Sequence, residues 1–296
     1  VPASRGDTHC DAFWRAVRSR SASALAAGAL EPIPSHVEYL DDGGIEFVVR
    51  VTDNLARKHN APSAYRRAGD SNPFQCPDAA LTICELPTPH LAILNKFNVL
   101  PDHVLVVTRE FVHQESPLEA VDFAAVAPGL AGGAGLAFYN AGTTAGASQP
   151  HKHFQLVPLP LGRGPSFPTA PVVDDAPDGV DTVRVLRLRH ARYRIDAPAA
   201  APADFGMRCH AVYRRALEEL GLEPLTGSAP RLPPYNLLLT NRWMLLVPRV
   251  HEHFRDISVN GLGFAGCLAV SSEERLERLR TAGPLTVLES VATPSR

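Results

Sequence analysis

The stretch ASQPHKHFQLVPLP (147–160) sets two histidines one residue apart, with a glutamine one residue beyond the second. Read as a strand, it sends every second side chain to the same side, so His151, His153 and Gln155 line one surface. Successive members of that row stand roughly 6.5–7 Å apart, a workable span for holding a phosphate. The turn TTAGASQP (143–150) joins this strand to the apolar run GLAFYNAG (135–142), and its glycine permits close backbone approach to a ligand.

The residues by themselves leave three chemistries in play. Two histidines in a row form half of a zinc site, but the remaining ligands are not supplied and glutamine is a poor one. Two imidazoles satisfied by neighbouring carbonyls would be merely structural. The third chemistry is nucleophilic attack on phosphorus. An unperturbed imidazole, with a pKa of about 6.5, is mostly neutral at pH 7 and carries a free lone pair. Attack on an α-phosphorus would give a covalent phosphoramidate. In that case Gly146, Ala147 and Ser148 would offer backbone N–H groups to the phosphate oxygens, and the Ser148 and Gln149 side chains would add to them. Gln155 hydrogen-bonds without exchanging a proton, and no third histidine is present to activate water, so transfer is favoured over hydrolysis.

Working outward, IEFVVRV (45–51), HLAILNKFNVL (90–100) and HVLVVTREF (103–111) read as strands, the last two as a hairpin turning at Pro101–Asp102. SPLEAVDFAAVAPGL (116–130) and FGMRCHAVYRRALEELGL (205–222) read as helices, as does the charged SEERLERLR (272–280). PYNLLLTNRWMLLVPRV (234–250) is a second hairpin. Its layout parallels NVLPDHVLVVTREF (98–111), which suggests an internal duplication. A polar, basic stretch from 54 to 78 reads as a long loop. Prolines cluster in 158–177 and 197–202 and mark a connector. The expected organisation is therefore a first part over 1–160, a proline-rich connector over 161–204 and a C-terminal part over 205–296.

With 296 residues and a net charge of −2, the chain has ample apolar content for a core and no global basic field, which argues against nucleic-acid binding. An anionic ligand must be met by local donors. The five cysteines, Cys10, Cys76, Cys84, Cys209 and Cys267, are odd in number and include no C-x-x-C, as expected of a reduced, cytoplasmic protein without a disulfide framework. No apolar run approaches the roughly 18 residues that a membrane span needs. The segment around Phe13, Trp14 and Val17 reads as an amphipathic helix packed on the core.

At FYNAGTTAGASQPHKHFQ (138–155) the chain resembles the histidine-triad superfamily, in its transferase branch with His-x-His-x-Gln. NPF (72–74), LNKFNVLPDHVLVVTREF (94–111), YNLLLTNRWMLLVPR (235–249) and ISVNGLGFAG (257–266) narrow the resemblance to the diadenosine tetraphosphate phosphorylase, or ATP adenylyltransferase, family. The resemblance implies an α+β fold: an antiparallel sheet with flanking helices, built from two related halves. It implies phosphorolysis of diadenosine tetraphosphate to ATP and ADP through a covalent AMP–histidine. His153 would be the nucleophile, His151 would orient it or contact the α-phosphate, and Gln155 would steady the nonbridging oxygens. Asn140, Gly146, Ala147, Ser148 and Gln149 would hold phosphates. Asn95 and Lys96 would face the nucleotide, Lys58 would reach the distal phosphates, and Arg249 would grip an anion or form a surface ion pair. Asn236, Glu252 and the 261–266 loop would shape the site. His103 would cap its hairpin, and His251 and His253 would be exposed and inert.

The implied partners are small molecules: the dinucleoside polyphosphate, inorganic phosphate, ATP and ADP. No nucleic acid or membrane is implied, and the chain would be a monomer or homodimer. No cofactor or metal is expected to be protein-bound; any divalent cation would travel with the polyphosphate. Two departures from the family pattern stand out. A lysine expected soon after GFAG (263–266) is absent from CLAVSSEER (267–275). Lys152 occupies the position that is usually proline in the related galactose-1-phosphate uridylyltransferases. Adenylylsulfate phosphorolysis, uridylyl transfer and a nucleotide sensor with a decayed site are the competing readings.

Overall fold

The computed structural model describes residues 5–52, 72–195, 201–225 and 230–295, so Lys58 and most of the expected basic loop lie outside the described residues. In chain order the elements are α1 (Arg5–Ala26), β1 (Ser35–Asp42), β2 (Ile45–Thr52), β3 (Thr82–Glu85), β4 (His90–Leu94) and β5 (Val104–Thr108). Next come α2 (Ala120–Leu130), β6 (Gly135–Ala141), β7 (His153–Pro158), α3 (Ala170–Asp174), β8 (Gly179–Val180), β9 (Ala191–Arg194) and α4 (Pro202–Leu220). The chain continues through β10 (Tyr235–Leu239), β11 (Trp243–Pro248), β12 (His253–Phe254), β13 (Ile257–Ser258) and α5 (Gly261–Phe264). It ends with β14 (Cys267–Val270), α6 (Glu273–Ala282) and α7 (Pro284–Val291).

Nine strands form one antiparallel sheet in the order β3-β4-β5-β7-β6-β10-β11-β9-β8. Alternation along β7 decides what each face does. Phe154 and Leu156 point into a core with Phe123, Leu130, Tyr139, Tyr213 and Leu237, where α1, α2 and α4 cover the sheet. His153 and Gln155 therefore project from the opposite face. There, a three-stranded sheet β1-β2-β14, together with α5 and α7, covers Leu136, Phe138 and Leu238 through Phe47, Val49, Phe264, Leu268 and Leu288. Trp14 pins α1 by donating its indole N–H to the Gly129 carbonyl at 3.0 Å. Among the described residues, no helix is long and apolar enough to cross a membrane.

The order of elements shows a duplication. A hairpin, a helix and a second hairpin (β4-β5-α2-β6-β7) are followed by the same series (β8-β9-α4-β10-β11), and the two meet where β6 pairs with β10. Asn140 lies opposite Asn236 in that register, and the rings of Tyr139 and Tyr235 stack 6.2 Å apart. The repeat is real, but the matching suggested by the sequence is not. β10–β11 corresponds to β6–β7 rather than to the 98–111 hairpin, whose counterpart is β8–β9. Apolar hairpins with short polar turns look alike wherever they sit, so layout alone could not choose between them.

Two further expectations are corrected. The 161–204 segment is more than a connector, because it supplies α3 and the edge strands β8 and β9. The 1–160 part is tied to the far end of the chain, where β2 pairs in parallel with β14. Helix α2 begins at Ala120 rather than 116. Asp122 accepts the Glu119 backbone N–H at 2.8 Å and sets that start, so Ser116 is not the cap.

Helices α2 and α4 cross closely at Gly206, where an added Cβ would come within 2.3 Å of the Ala120 carbonyl oxygen. Gly206→Ala should therefore lower unfolding free energy by roughly 1–3 kcal/mol, read as a lower urea midpoint. An unchanged midpoint would mean that the helices have room to spare there.

Candidate active site

His153 opens β7, and its Nδ1 lies 2.8 Å from the backbone carbonyl of His151. A carbonyl can only accept, so Nδ1 carries the proton and Nε2 keeps its lone pair. Burial lowers the His153 pKa to about 4, so the imidazole is neutral well below pH 7. The ring rests against Phe74, 5.2 Å between centroids. Gln114, itself buried, clamps the backbone at this point: its Oε1 accepts the His153 N–H at 2.8 Å. Its Nε2 donates to the carbonyls of Asn140 at 2.9 Å and His153 at 3.2 Å. The clamp sits just beyond Phe138 and Gln155, where the β6–β7 pairing ends. It holds the two strands together at the level of His153.

His151 lies two residues before His153, in an isolated bridge to His113 rather than within the strand. It is fully buried, with both nitrogens committed. Nε2–H donates to the Thr108 carbonyl at 2.8 Å, with Thr108 Oγ1 at 2.9 Å, and Nδ1 accepts from Asn72 Nδ2 at 2.7 Å. The expected contact of this imidazole with an α-phosphate is therefore corrected, and no lone pair remains for a zinc ion. What reaches His153 is the backbone carbonyl of His151, held in place by the anchored ring. Lys152, between them, points to the helix side of the sheet. Its Nζ donates to Asp122 Oδ2 at 3.0 Å and to the Pro117 carbonyl at 2.8 Å, and His90 Nε2 holds the other Asp122 oxygen at 2.9 Å. Burial alone would raise the Asp122 pKa, but the His90 and Lys152 contacts outweigh it and hold it below the usual value.

The glycine turn behaves differently from expectation. Gly142 and Gly146 both adopt positive φ, 87° and 88°, around a short helical turn at Thr143–Ala145. The N–H groups of Gly146 and Ala147 are used inside the turn, donating to Thr143 O at 2.8 Å and Gly142 O at 3.1 Å. They are not the phosphate donors that the sequence suggested. Gly146 instead lets the turn press against the C-terminal part, since a Cβ there would sit 2.9 Å from Asn260 Cβ and 3.0 Å from the Val259 carbonyl. Ser148 is exposed and Gln149 and Gln155 are half-buried; among the described residues, none of these three side chains has a hydrogen-bond partner.

Asn140 stands beside His153 on the neighbouring strand. Its Oδ1 accepts from Asn236 Nδ2 at 2.8 Å and from the Gly261 N–H at 2.9 Å. Its buried Nδ2 donates to nothing among the described residues. Asn95 and Lys96 lie at the β4–β5 turn, about 13 Å along the strands from the His153 level. Asn95 braces His103 there, Nδ2 to Nδ1 at 3.2 Å, and Lys96 pairs with Glu31 at 3.2 Å. Arg249 is neither an anion clamp nor a surface ion pair. It is buried, and its donors go to Asn236 Oδ1 and to the carbonyls of Val259, Val291, His251 and Glu252. Sequence reasoning missed Gln114, in a segment where no periodicity or motif marks it, and Thr108, which ends a strand-like run with nothing to set it apart from its neighbours.

One neutral, Nδ1-protonated histidine beside an unspent amide donor is an arrangement suited to a nucleotidyltransferase. Two family models match: Ap4A phosphorylase N-terminal domain over residues 3–175 and ATP adenylyltransferase C-terminal domain over residues 186–294 (Ap4A is diadenosine tetraphosphate). The chain belongs to this Ap4A phosphorylase and ATP adenylyltransferase family. It is 31% identical to diadenosine 5',5'''-P1,P4-tetraphosphate phosphorylase 2 of Saccharomyces cerevisiae over 79% of each chain. It is 27% identical to Protein APA1 of the same yeast over 63% of each. The crystal structure of yeast Ap4A phosphorylase Apa2 shares the fold, with a TM-score of 0.75 at 24% identity over 95% of this chain and 94% of that one. A crystal structure of the same yeast protein in complex with Ap4A matches with the same TM-score at 23% identity, over 96% and 98% of the two chains.

The folded protein keeps His153 neutral down to about pH 4, whereas an unperturbed imidazole titrates near 6.5. The unfolded chain therefore takes up the proton first. The stability that this residue contributes is complete above about pH 6.5 and is lost as pH falls from there toward 4. Nitrogen-15 NMR should show the Nδ1–H tautomer of His153 unchanged from pH 8 to 5. A midpoint near 6.5 would mean that the ring is solvated.

Proposed function

We propose that this chain phosphorolyses diadenosine tetraphosphate to ATP and ADP through an adenylylated His153. The Nε2 lone pair attacks the α-phosphorus of one adenylyl group; the Nε2–P bond forms as the bond from that phosphorus to the bridging oxygen breaks, and ATP leaves. Inorganic phosphate then attacks the same phosphorus, the N–P bond breaks, and ADP departs. The single observation that carries this reading is the hydrogen bond from His153 Nδ1 to the His151 carbonyl. It keeps Nε2 unprotonated before attack and stabilises the cationic ring once Nε2 is substituted.

The polyphosphate is a weakly basic leaving group, so no general acid is required, and catalysis rests on positioning and charge stabilisation. Asn140, Ser148, Gln149 and Gln155 supply the neutral donors around the phosphorus. Proton exchange is not among their roles, which suits a phosphate acceptor better than water. Asn95 and Lys96 take the adenosine end. The reading uses no protein-held metal; a divalent cation enters, if at all, on the polyphosphate.

Incubation with diadenosine tetraphosphate in phosphate-free buffer should add one AMP to the intact mass of the wild-type chain and none to His153→Ala. Added phosphate should then release ADP. Turnover in His153→Ala should fall by about 10⁴-fold or more, the scale on which nucleophile removal acts. Undiminished turnover without an adduct would exclude the covalent route.

A further inference from the structure

We propose that Arg249 and Asn236 are positioning residues that fix the side-chain amide of Asn140 with its N–H side toward the adenylyl phosphate. The inference rests on the function proposed above for its ligand, and on hydrogen-bond polarity for its mechanism. A guanidinium has five donors and no acceptor, and it keeps its charge in a protein. Its Nη1 donates to Asn236 Oδ1, so the other end of that amide must be Nδ2. Asn236 Nδ2 donates in turn to Asn140 Oδ1 and to the Ala145 carbonyl, both at 2.8 Å. Asn140 Oδ1 also receives the Gly261 N–H at 2.9 Å. Turning the Asn140 amide over would set its NH₂ against two donors, so the orientation is determined rather than optional.

The chain of polarity ends at Asn140 Nδ2, which is buried and finds no acceptor among the described residues. Asn140 and His153 stand on neighbouring strands just past the Phe138–Gln155 pair, where Gln114 ties their carbonyls together, so their side chains share one face of the sheet. A buried amide donor without a partner is costly unless a ligand satisfies it, and an anionic phosphoryl oxygen is the strongest acceptor available to it. The relay thus makes the site read a phosphate oxygen as an acceptor. It also explains why a cation is buried with four carbonyls and one amide oxygen rather than with a carboxylate. Arg249 remains protonated although burial lowers its pKa to about 10.

The test is a double-mutant cycle between Asn236→Asp and Asn140→Ala. Asn236→Asp keeps the shape and gives Arg249 a carboxylate partner, but removes the donor to Asn140, which then turns its N–H side away from the ligand. AMP binding by calorimetry and the rate of AMP–His153 formation are measured on all four proteins. In the wild-type background, Asn236→Asp should weaken AMP binding and slow adduct formation by about 10-fold or more, the scale of one lost charge-assisted hydrogen bond. In the Asn140→Ala background it should change either by less than about 2-fold, the coupling expected of partners acting through one contact. Arg249→Lys, which keeps the charge without the fork, should show the same dependence on Asn140 and serves if Asn236→Asp does not fold.

Independent effects, multiplying in the double variant, would overturn the proposal, as would wild-type binding by both single variants. If the wild type binds AMP with this coupling yet never forms the adduct, the covalent function fails and the relay stands. If the adduct forms and the cycle shows no coupling, the function stands and the relay fails.

Discussion

A single hydrogen bond, from the imidazole N–H of His153 to the carbonyl two residues back, determines what the rest of the site can do. It decides which nitrogen is bare. Bond length alone does not keep that carbonyl in position; the His151 ring is locked between Thr108 and Asn72, and Gln114 closes the two strands at the same level. Each of these contacts involves a buried polar group that would be expensive to leave unpaired, so the arrangement is rigid as well as specific.

The three residues His151, Lys152 and His153 divide the work between two sides of one sheet. Lys152 reaches backward to Asp122 at the start of α2 and anchors the strand to the helical layer. Breaking a buried ion pair of this kind leaves an uncompensated charge, so the rear anchor resists slippage of the segment that carries His153. A one-residue slip would turn His153 into the helix-covered core and Phe154 into the site.

Much of this was legible beforehand. The His-x-His-x-Gln spacing put His153 and Gln155 on one face of a strand, although His151 lies just ahead of it. The helix read over 205–222 was visible from its regular apolar pattern and the glycine that follows Leu220, and Gly221 indeed caps it with φ 69°. Other features were hidden for identifiable reasons. Gly146 invites a phosphate-loop reading, yet its conformation and its approach to Asn260 use up that freedom in packing. Arg249 has the charge of an anion ligand, but only the fold shows that carbonyls surround it. Gln114 lies in a segment without period, and its importance arises from which strands end nearby, a property of pairing that no local window contains.

The junction between β6 and β10 brings together two copies of one structural unit that have taken different roles. Phe138 faces Gln155 in the first copy; in the second, the Arg249 N–H donates to the carbonyl of Pro234, the residue just before the matching Tyr235–Asn236 pair. The position that carries a glutamine in one copy carries a structural cation in the other. Since both copies lie on one polypeptide, their meeting is intramolecular, at an effective concentration that dilution cannot reduce. The surroundings of His153 are therefore held together equally well in a dilute cell extract and in a crowded cell.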